Sequence, residues 1–235
     1  MRQFTARITR LAAREDGQIA AQIVGALPAA HAPGQFYLAH GVGIAGQYLR
    51  LPLFPETSGP DRMALDLPPD LAGLQPGDEL DLIGPCGRGL ALPDHARNVL
   101  LMAGTAGAAR LRPIAHAALA RRCSVVLLCQ TPQPLADLPL EIEVRMGTSD
   151  LADALAWADA LCAHLVPASL GDLQRQLRDN AADGGQMAAP WAQAFCLPPV
   201  PCGVGACGAC AVPTTGGWRF ACVDGPWFDL PGLEL

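Results

Sequence analysis

The chain has 235 residues, of which 51% are hydrophobic and 16% are charged, and its formal net charge at pH 7 is −6. This length is sufficient for two compact units and a small additional segment. An acidic chain without a basic stripe is not expected to bind nucleic acid. No apolar run approaches the ~18 residues of a membrane span, and the N-terminus lacks the apolar core of a signal peptide. No membrane association and a cytoplasmic location are therefore expected.

The first ninety or so residues are predicted to be rich in β-structure. Short segments of alternating polar and apolar residues are separated by Gly and Pro, at residues 4–13, 17–27, 34–42 and 77–85. Many short strands with turn signals between them are typical of a small barrel. We therefore predict an N-terminal antiparallel β-barrel over residues 1–95.

The pattern changes after this region to alternating strands and helices. Residues 97–104 predict a buried strand, residues 108–122 a helix and residues 123–130 a second buried strand. Such a βαβ unit predicts a parallel sheet. A third strand is expected within 140–150 and helices within 150–165 and 170–181. Together these elements predict a parallel α/β nucleotide-binding-like domain over residues 96–185, followed by a Gly- and Pro-rich linker over 182–201.

The most specific pattern lies near the C-terminus, where Cys202, Cys207, Cys210 and Cys222 have the spacing C-x4-C-x2-C-x11-C. Three thiols in one short loop and a fourth from a later segment match the plant-type ligand pattern of a 2Fe-2S cluster. The intervening residues are mostly Gly and Ala, which allow the loop to curl and to direct backbone N–H groups at sulfur. Residues 186–235 are thus predicted to form a small 2Fe-2S domain. A zinc site and a disulfide remain alternatives.

The other cysteines and the aromatic residues near the tail carry weaker signals. Cys123, Cys129 and Cys162 lie in apolar surroundings and are expected in the core, whereas Cys86 and Cys196 are interpreted as accidental surface thiols. Asp224 and Gly225 are expected to form a turn that positions Cys222. Four aromatic residues are expected to shield the cluster from water: Trp218, Phe220, Trp227 and Phe228. An alternative is that Trp227 and Phe228 contact a partner protein.

The chain resembles the iron–sulfur electron transfer subunit of B-type dihydroorotate dehydrogenase, within the ferredoxin reductase-like superfamily. The resemblance rests on residues 33–36 (PGQF), 77–89 (GDELDLIGPCGRG), 99–111 (VLLMAGTAGAARL), 202–210 (CGVGACGAC) and 222–226 (CVDGP). It implies FAD in the barrel, a 2Fe-2S cluster at the C-terminus and electron transfer between an FMN-containing catalytic partner and NAD. It also implies a hetero-oligomer and a role in pyrimidine biosynthesis.

Two of the motifs that this resemblance implies are altered here. The FAD motif resembles Arg-Pro-aliphatic-Ser, and the matching residues are Leu51, Pro52, Leu53 and Phe54, preceded by Arg50. Arg50, Pro52 and Leu53 are the candidate FAD contacts. In the nucleotide loop, Gly104 and Gly107 are retained and are the candidate NAD contacts, because a glycine turn that opens a helix offers N–H groups to a phosphate.

These observations lead to two hypotheses of different kinds. In the first, the protein is an electron-transfer subunit that relays electrons between a flavoprotein dehydrogenase and FAD or NAD through its cluster. In the second, it is an accessory or structural subunit that carries a cluster and has lost flavin and NAD chemistry. The chain is not expected to contain its own substrate-dehydrogenating site.

Overall fold

The computed structural model describes residues 1–13, 19–27, 31–42, 49–58, 62–71, 73–105, 107–133, 135, 138–182 and 191–235. These residues form two compact units. The first consists of Met1–Leu90, Leu197–Ala211 and Arg219–Pro226, and the second of Ala91–Cys196, Val212–Trp218 and Trp227–Leu235. The C-terminal segment therefore contributes to both units.

The first unit contains a seven-stranded antiparallel sheet. Its strands are β1 (Arg2–Ala13), β2 (Ile19–Gly25), β3 (Phe36–Gly41), β4 (Leu51–Leu53), β5 (Pro55–Ser58), β6 (Arg62–Leu67) and β7 (Glu79–Cys86), in the order β4-β3-β7-β1-β2-β6-β5. The two outermost strands, β4 and β5, are consecutive in the chain and separated only by Phe54. The sheet is therefore a nearly closed barrel, and the predicted N-terminal barrel is confirmed.

Alternating residues of these strands build the core of the barrel. In β1, Phe4, Ala6 and Ile8 are buried while their neighbours are exposed, because successive side chains of a strand point to opposite faces. The same period runs through β7, where Leu80 and Leu82 are fully buried. A 3₁₀ turn, Pro69–Leu71, lies between β6 and β7.

The second unit contains a six-stranded, mostly parallel sheet. Its elements are β8 (Asn98–Ala103), α1 (Ala108–Ala120), β9 (Ser124–Cys129), β10 (Glu143–Met146), α2 (Leu151–Trp157), β11 (Ala160–His164), α3 (Pro167–Ala182), β12 (Trp191–Phe195) and β15 (Trp227–Asp229). The strand order is β10-β9-β8-β11-β12-β15, and only β15 is antiparallel to its neighbour. The predicted parallel α/β domain is confirmed.

Two elements of this sheet differ from the prediction. The helix expected over 150–165 ends at Trp157, and Ala160–His164 is instead a central strand between β8 and β12. The expected linker contains β12. Both strands are short apolar runs, whose state is set by pairing with neighbouring strands rather than by local periodicity.

The remaining strands form a two-stranded sheet, β13 (Ala211–Val212) with β14 (Arg219–Phe220). Cys123, Cys129 and Cys162 are buried as predicted. None of the helices in the described parts of the chain combines the length and the hydropathy of a membrane-spanning segment.

Candidate metal centre

The four candidate ligands belong to the first unit, together with the barrel. Cys202, Cys207 and Cys210 occupy a loop that ends at β13, and Cys222 lies in the turn after β14. Cys210 and Cys222 are buried, with 1% and 2% of their surface exposed, whereas Cys207 is exposed. One side of the group is thus enclosed and the other faces solvent.

Two of the four sulfurs are in close contact, since the Cys210 thiol donates to Cys222 Sγ at 3.4 Å. Cys207 lies beside Cys202 and helps to lower the pKa of its thiol. Among the described residues, no three His, Cys, Asp or Glu side chains converge as a single metal ion requires. Two thiolates per iron is the ligand set of a 2Fe-2S cluster, whereas a structural zinc ion needs four ligands around one point. Four thiols, of which three lie in one loop, are the donor set that such a cluster takes.

Backbone N–H groups of the loop point at these sulfurs, as expected for a segment that holds anionic sulfur. The backbone N–H groups of Val204, Cys207 and Ala206 lie near the Cys202 sulfur, and that of Val204 is the main reason that the pKa of the Cys202 thiol is lowered to about 6. Gly205 donates to Cys222 Sγ at 3.1 Å. Burial nevertheless raises the pKa of Cys222 to about 12. Donors of this kind stabilise thiolate and tune a bound cluster.

Glycine is required at two points where the loop turns. Gly203 and Gly205 both have φ near +73°, in the left-handed region. A Cβ on Gly203 would lie 2.8 Å from Leu38 Cδ1, and one on Gly205 would lie 3.0 Å from Val223 Cγ2. The loop therefore packs directly on the barrel strand β3 and on the turn that holds Cys222.

The turn that carries Cys222 is closed by Asp224, as predicted. The Phe220 N–H donates to Asp224 Oδ2 at 2.8 Å, and the Asp224 N–H donates to the Phe220 carbonyl at 2.7 Å. The Ala221 N–H also donates to the Cys210 carbonyl at 2.9 Å. These bonds fix the backbone on both sides of the buried pair Cys210 and Cys222.

The end of β7 also holds this turn, a role that the sequence reasoning missed. The Gly87 N–H donates to the Cys222 carbonyl at 2.8 Å, and the Arg88 N–H donates to the Gly225 carbonyl at 2.9 Å. Gly87 has φ +78°, and any Cβ on it would collide with the Gly225 carbonyl. The sequence signal was the pair of motifs at 84–89 and 222–226, each of which contains glycine. The structure brings these two motifs into contact with each other.

The interpretation of Cys86 as a surface thiol was wrong. Cys86 is the last residue of β7 and only 1% exposed, because its sulfur lies against the cysteine loop at Gly203. Burial raises its pKa to about 11. Cys196, the other such residue, is half-buried.

The aromatic residues near the tail do not behave as one group. Trp218 is 67% exposed, so it shields nothing. Trp227 and Phe228 are only 5% and 6% exposed, because β15 places them in the sheet of the second unit. Their proposed contact with a partner is therefore wrong.

The candidate FAD residues of the barrel are engaged with other parts of the protein. Arg50 forms an ion pair with the Asp81 carboxylate and donates to the Asp81 carbonyl at 2.7 Å. Leu53 is fully buried in the barrel core, and Phe54 packs on Phe36 with 5.4 Å between ring centroids. Pro52 is half-buried in β4. These side chains do not fit the phosphate and flavin contacts that the resemblance implies.

The candidate NAD residues form the tight turn between β8 and α1. The Gly104 N–H donates to the His164 carbonyl at 2.8 Å, and a Cβ on Gly107 would lie 2.8 Å from that same oxygen. Gln133 closes the turn, accepting from the Ala108 N–H at 2.9 Å and donating to the Gly104 carbonyl at 3.2 Å. The first N–H of α1 is therefore already satisfied by the protein. Nothing in the sequence pointed to Gln133.

Comparison with known proteins supports both the centre and the fold. Residues 200–233 match the model of the iron–sulfur cluster binding domain of dihydroorotate dehydrogenase B. The structure of an NADH-dependent reduced ferredoxin–NADP oxidoreductase superposes with a TM-score of 0.76 at 23% identity, covering 97% of this chain and 89% of that one.

More distant structures share the same fold over less of their length. The ferredoxin reductase in carbazole 1,9a-dioxygenase gives a TM-score of 0.61 at 19% identity, covering 76% of this chain and 63% of that one. An Amycolatopsis cytochrome P450 reductase gives 0.58 at 19%, covering 76% and 66%. This chain thus has a ferredoxin reductase-like fold and, in its C-terminal segment, resembles the iron–sulfur domain of dihydroorotate dehydrogenase B, as the sequence predicts.

Proposed function

We propose that this protein is an electron-transfer subunit that holds a 2Fe-2S cluster on Cys202, Cys207, Cys210 and Cys222. The observation that carries the proposal is the placement of the four thiols in one unit, three of them in a single loop and the fourth, Cys222, with its sulfur 3.4 Å from that of Cys210. The match of residues 200–233 to an iron–sulfur binding domain supports it independently. When bound, such a cluster supplies one-electron chemistry.

The protein's own residues bind, orient and partly enclose the group. The N–H groups of Val204, Ala206 and Gly205 offset negative charge on sulfur, and the β7 turn fixes the segment that carries Cys222. The burial of Cys210 and Cys222 excludes water from one side. The exposed Cys207 marks the side at which an electron-transfer partner can approach.

The partner in this proposal is the catalytic subunit of a flavoprotein dehydrogenase, and dihydroorotate dehydrogenase is the type favoured by the description of the matched family. This would place the protein in a hetero-oligomer and in pyrimidine biosynthesis. We assign cluster binding to residues 186–235, and flavin- and NAD-binding-like roles to 1–95 and 96–185. All nine cysteines are free thiols, which favours a reducing compartment such as the cytoplasm.

A second candidate is a relay that carries the cluster but neither FAD nor NAD. It is favoured by the ion pair of Arg50 with Asp81, by the burial of Leu53 and by the hydrogen bonds of Gln133 in the nucleotide turn. Groups that are already paired inside the protein must break those contacts before they bind a phosphate.

One preparation separates these candidates. The protein is purified without oxygen, iron and acid-labile sulfide are measured, and the acid-denatured supernatant is examined for flavin. Two irons, two sulfides and one FAD per chain would support the flavin-linked subunit, whereas iron and sulfide without flavin would support the relay. Zinc without sulfide would overturn both.

A variant identifies the ligands in the same preparation. Cys207→Ser should remove the visible absorption of the cluster, because an exposed alkoxide is a poorer ligand for iron than thiolate. Cys123→Ser, at a buried thiol of the second unit, should leave it unchanged. An unchanged spectrum in Cys207→Ser would show that the ligand set is wrong.

A further inference from the structure

A fifth thiol lies against the candidate metal centre. Cys86, at the end of β7, belongs to the same unit as the four ligand cysteines, and it lies close enough to Cys202 and Cys210 to interact electrostatically with both. It is 1% exposed, so its contacts are with protein and not with solvent. Neither the ligand spacing nor the match to residues 200–233 assigns it a role.

Cys86 lies against the loop at the residue that follows Cys202. A Cβ built on Gly203 would lie 3.4 Å from Cys86 Sγ, which is ordinary van der Waals contact. Because Gly203 has no side chain, the Cys86 sulfur and the Leu38 side chain can both lie against the loop backbone beside Cys202. Cys202 is thus the ligand next to which Cys86 is placed.

The Cys86 sulfur is held only by weak contacts. Burial raises the pKa of its thiol to about 11, and the nearby Leu38 N–H offsets a small part of that rise. Its other neighbours are the Ile83 carbonyl and the Met1 thioether, each at 3.7 Å, which are long and weak contacts. No strong bond has to be broken for this sulfur to turn towards the loop.

The backbone on both sides of this contact is held in place. The Gly87 and Arg88 N–H groups bind the carbonyls of Cys222 and Gly225, so the residues after Cys86 are fixed to the centre itself. The loop across from it contains three glycines with positive φ, at 203, 205 and 208. Movement in an exchange would therefore come from the loop that carries Cys202.

We propose that Cys86 is a reserve iron ligand that can replace Cys202. This inference rests on the proposed function, because it requires the cluster. In the exchange, the bond from iron to the Cys202 sulfur breaks and one to the Cys86 sulfur forms. Cys86 releases its thiol proton and Cys202 takes one up, so the charge and the electron count of the centre do not change.

The experiment compares iron and acid-labile sulfide in three variants purified without oxygen: Cys202→Ala, Cys202→Ala with Cys86→Ser, and Cys202→Ala with Cys162→Ala. The last is a matched control, because Cys162 is equally buried but belongs to the second unit. Cys202→Ala and the Cys162 control should keep about half or more of the wild-type iron, and the Cys86 variant should keep less than about a tenth.

The visible spectrum provides a second readout. If Cys86 replaces Cys202, the single variant keeps the absorption of an all-thiolate cluster, and Cys86→Ser in that background removes it. Far-UV circular dichroism of each variant confirms that it is folded. If the serine variant does not fold, Cys202→Ala with Cys86→Ala provides the same test.

Three results would overturn the inference: loss of iron in Cys202→Ala alone, iron in Cys202→Ala that does not depend on Cys86, or equal loss in the Cys162 control. Failure of the proposed function would give a different result, because the wild-type protein itself would then contain no iron or sulfide.

Discussion

The cysteine loop and the turn that opens α1 are both short, glycine-containing segments in which several backbone N–H groups lie close together. The acceptors of these N–H groups differ between the two segments. In the loop, N–H groups of Val204 and Gly205 point at cysteine sulfur. In the turn, the Ala108 N–H is bound by the side chain of Gln133. Glycine content alone therefore does not distinguish a binding loop from a structural turn. The acceptors of the N–H groups do.

The barrel strand at residues 50–54 behaves like the turn and not like the loop. The charge of Arg50 is paired with Asp81 within the barrel, and Leu53 faces the core. A binding segment is expected to retain groups that are free for a ligand, whereas the charged group of this strand is already compensated. Four substitutions test this contrast.

The largest effect is expected for Cys222→Ala. It removes one buried ligand and leaves its pair partner Cys210 without the 3.4 Å contact, so iron and sulfide should fall to near background. The measurement is metal and sulfide content after anaerobic purification. Cys129→Ala, at a buried thiol of the second unit, should retain both. Equal metal content in the two variants would contradict the ligand assignment.

Gly203→Ala should destabilise the loop more than Gly208→Ala. Both residues have φ near +72°, so both substitutions incur about 1–2 kcal/mol of backbone strain. Only at Gly203 does the new methyl group meet a neighbour, Leu38 Cδ1 at 2.8 Å, which adds roughly 1–3 kcal/mol. Urea unfolding of the two apoproteins measures the difference. Equal unfolding midpoints would show that the loop does not pack on β3 as described.

Gln133→Ala should lower stability and open the nucleotide turn. Loss of this cap on α1 is expected to cost about 0.5–2 kcal/mol, and the released Ala108 N–H becomes available to a phosphate. Binding of NADH, followed by fluorescence titration, should be tighter in the variant than in the wild type. Weaker binding in the variant would indicate that Gln133 belongs to a functional nucleotide site.

Arg50→Gln should have the smallest effect. Burial alone would raise the pKa of Asp81, but hydrogen bonds from Arg50 and Gln3 outweigh it and hold that pKa below its usual range. The pair therefore stabilises the folded state above the pKa that Asp81 has when unfolded, and the contribution is lost as the pH falls through the folded pKa. With both side chains partly exposed, we expect about 1 kcal/mol or less at pH 7.

The pH dependence and the flavin content of this variant provide the decisive comparison. Its stability deficit should shrink as the solution is acidified, because Asp81 becomes protonated in both proteins. FAD content should not change. If Arg50→Gln instead lost bound FAD, Arg50 would be a phosphate ligand and the barrel would be a functional flavin site.

The parts of the structure that could be predicted from sequence are those with a periodic or a chemical signature. The alternation in β1 and β7 predicted the barrel, and the spacing from Cys202 to Cys222 predicted a set of four cysteine ligands, two of which the structure places 3.4 Å apart. The same alternation would have predicted that Cys86 is buried had the strand been extended by one more residue.

Other features depend on contacts between distant segments. The strand Ala160–His164 is an apolar run whose state is decided by pairing with β8 and β12. Gln133 caps a helix that begins 25 residues earlier in the chain, and Gly87 supports a turn at Cys222, far away in sequence. No local pattern marks such residues, because their role exists only once the chain is folded.

The central claim is that the four C-terminal cysteines hold an iron pair that carries one electron at a time. The most direct test is a reductive titration of the anaerobically purified protein, followed by electron paramagnetic resonance. The account predicts uptake of one electron for every two irons, a signal of a reduced 2Fe-2S centre, and loss of that signal in Cys207→Ser. Bound zinc, or bound iron that takes up no electron, would contradict it.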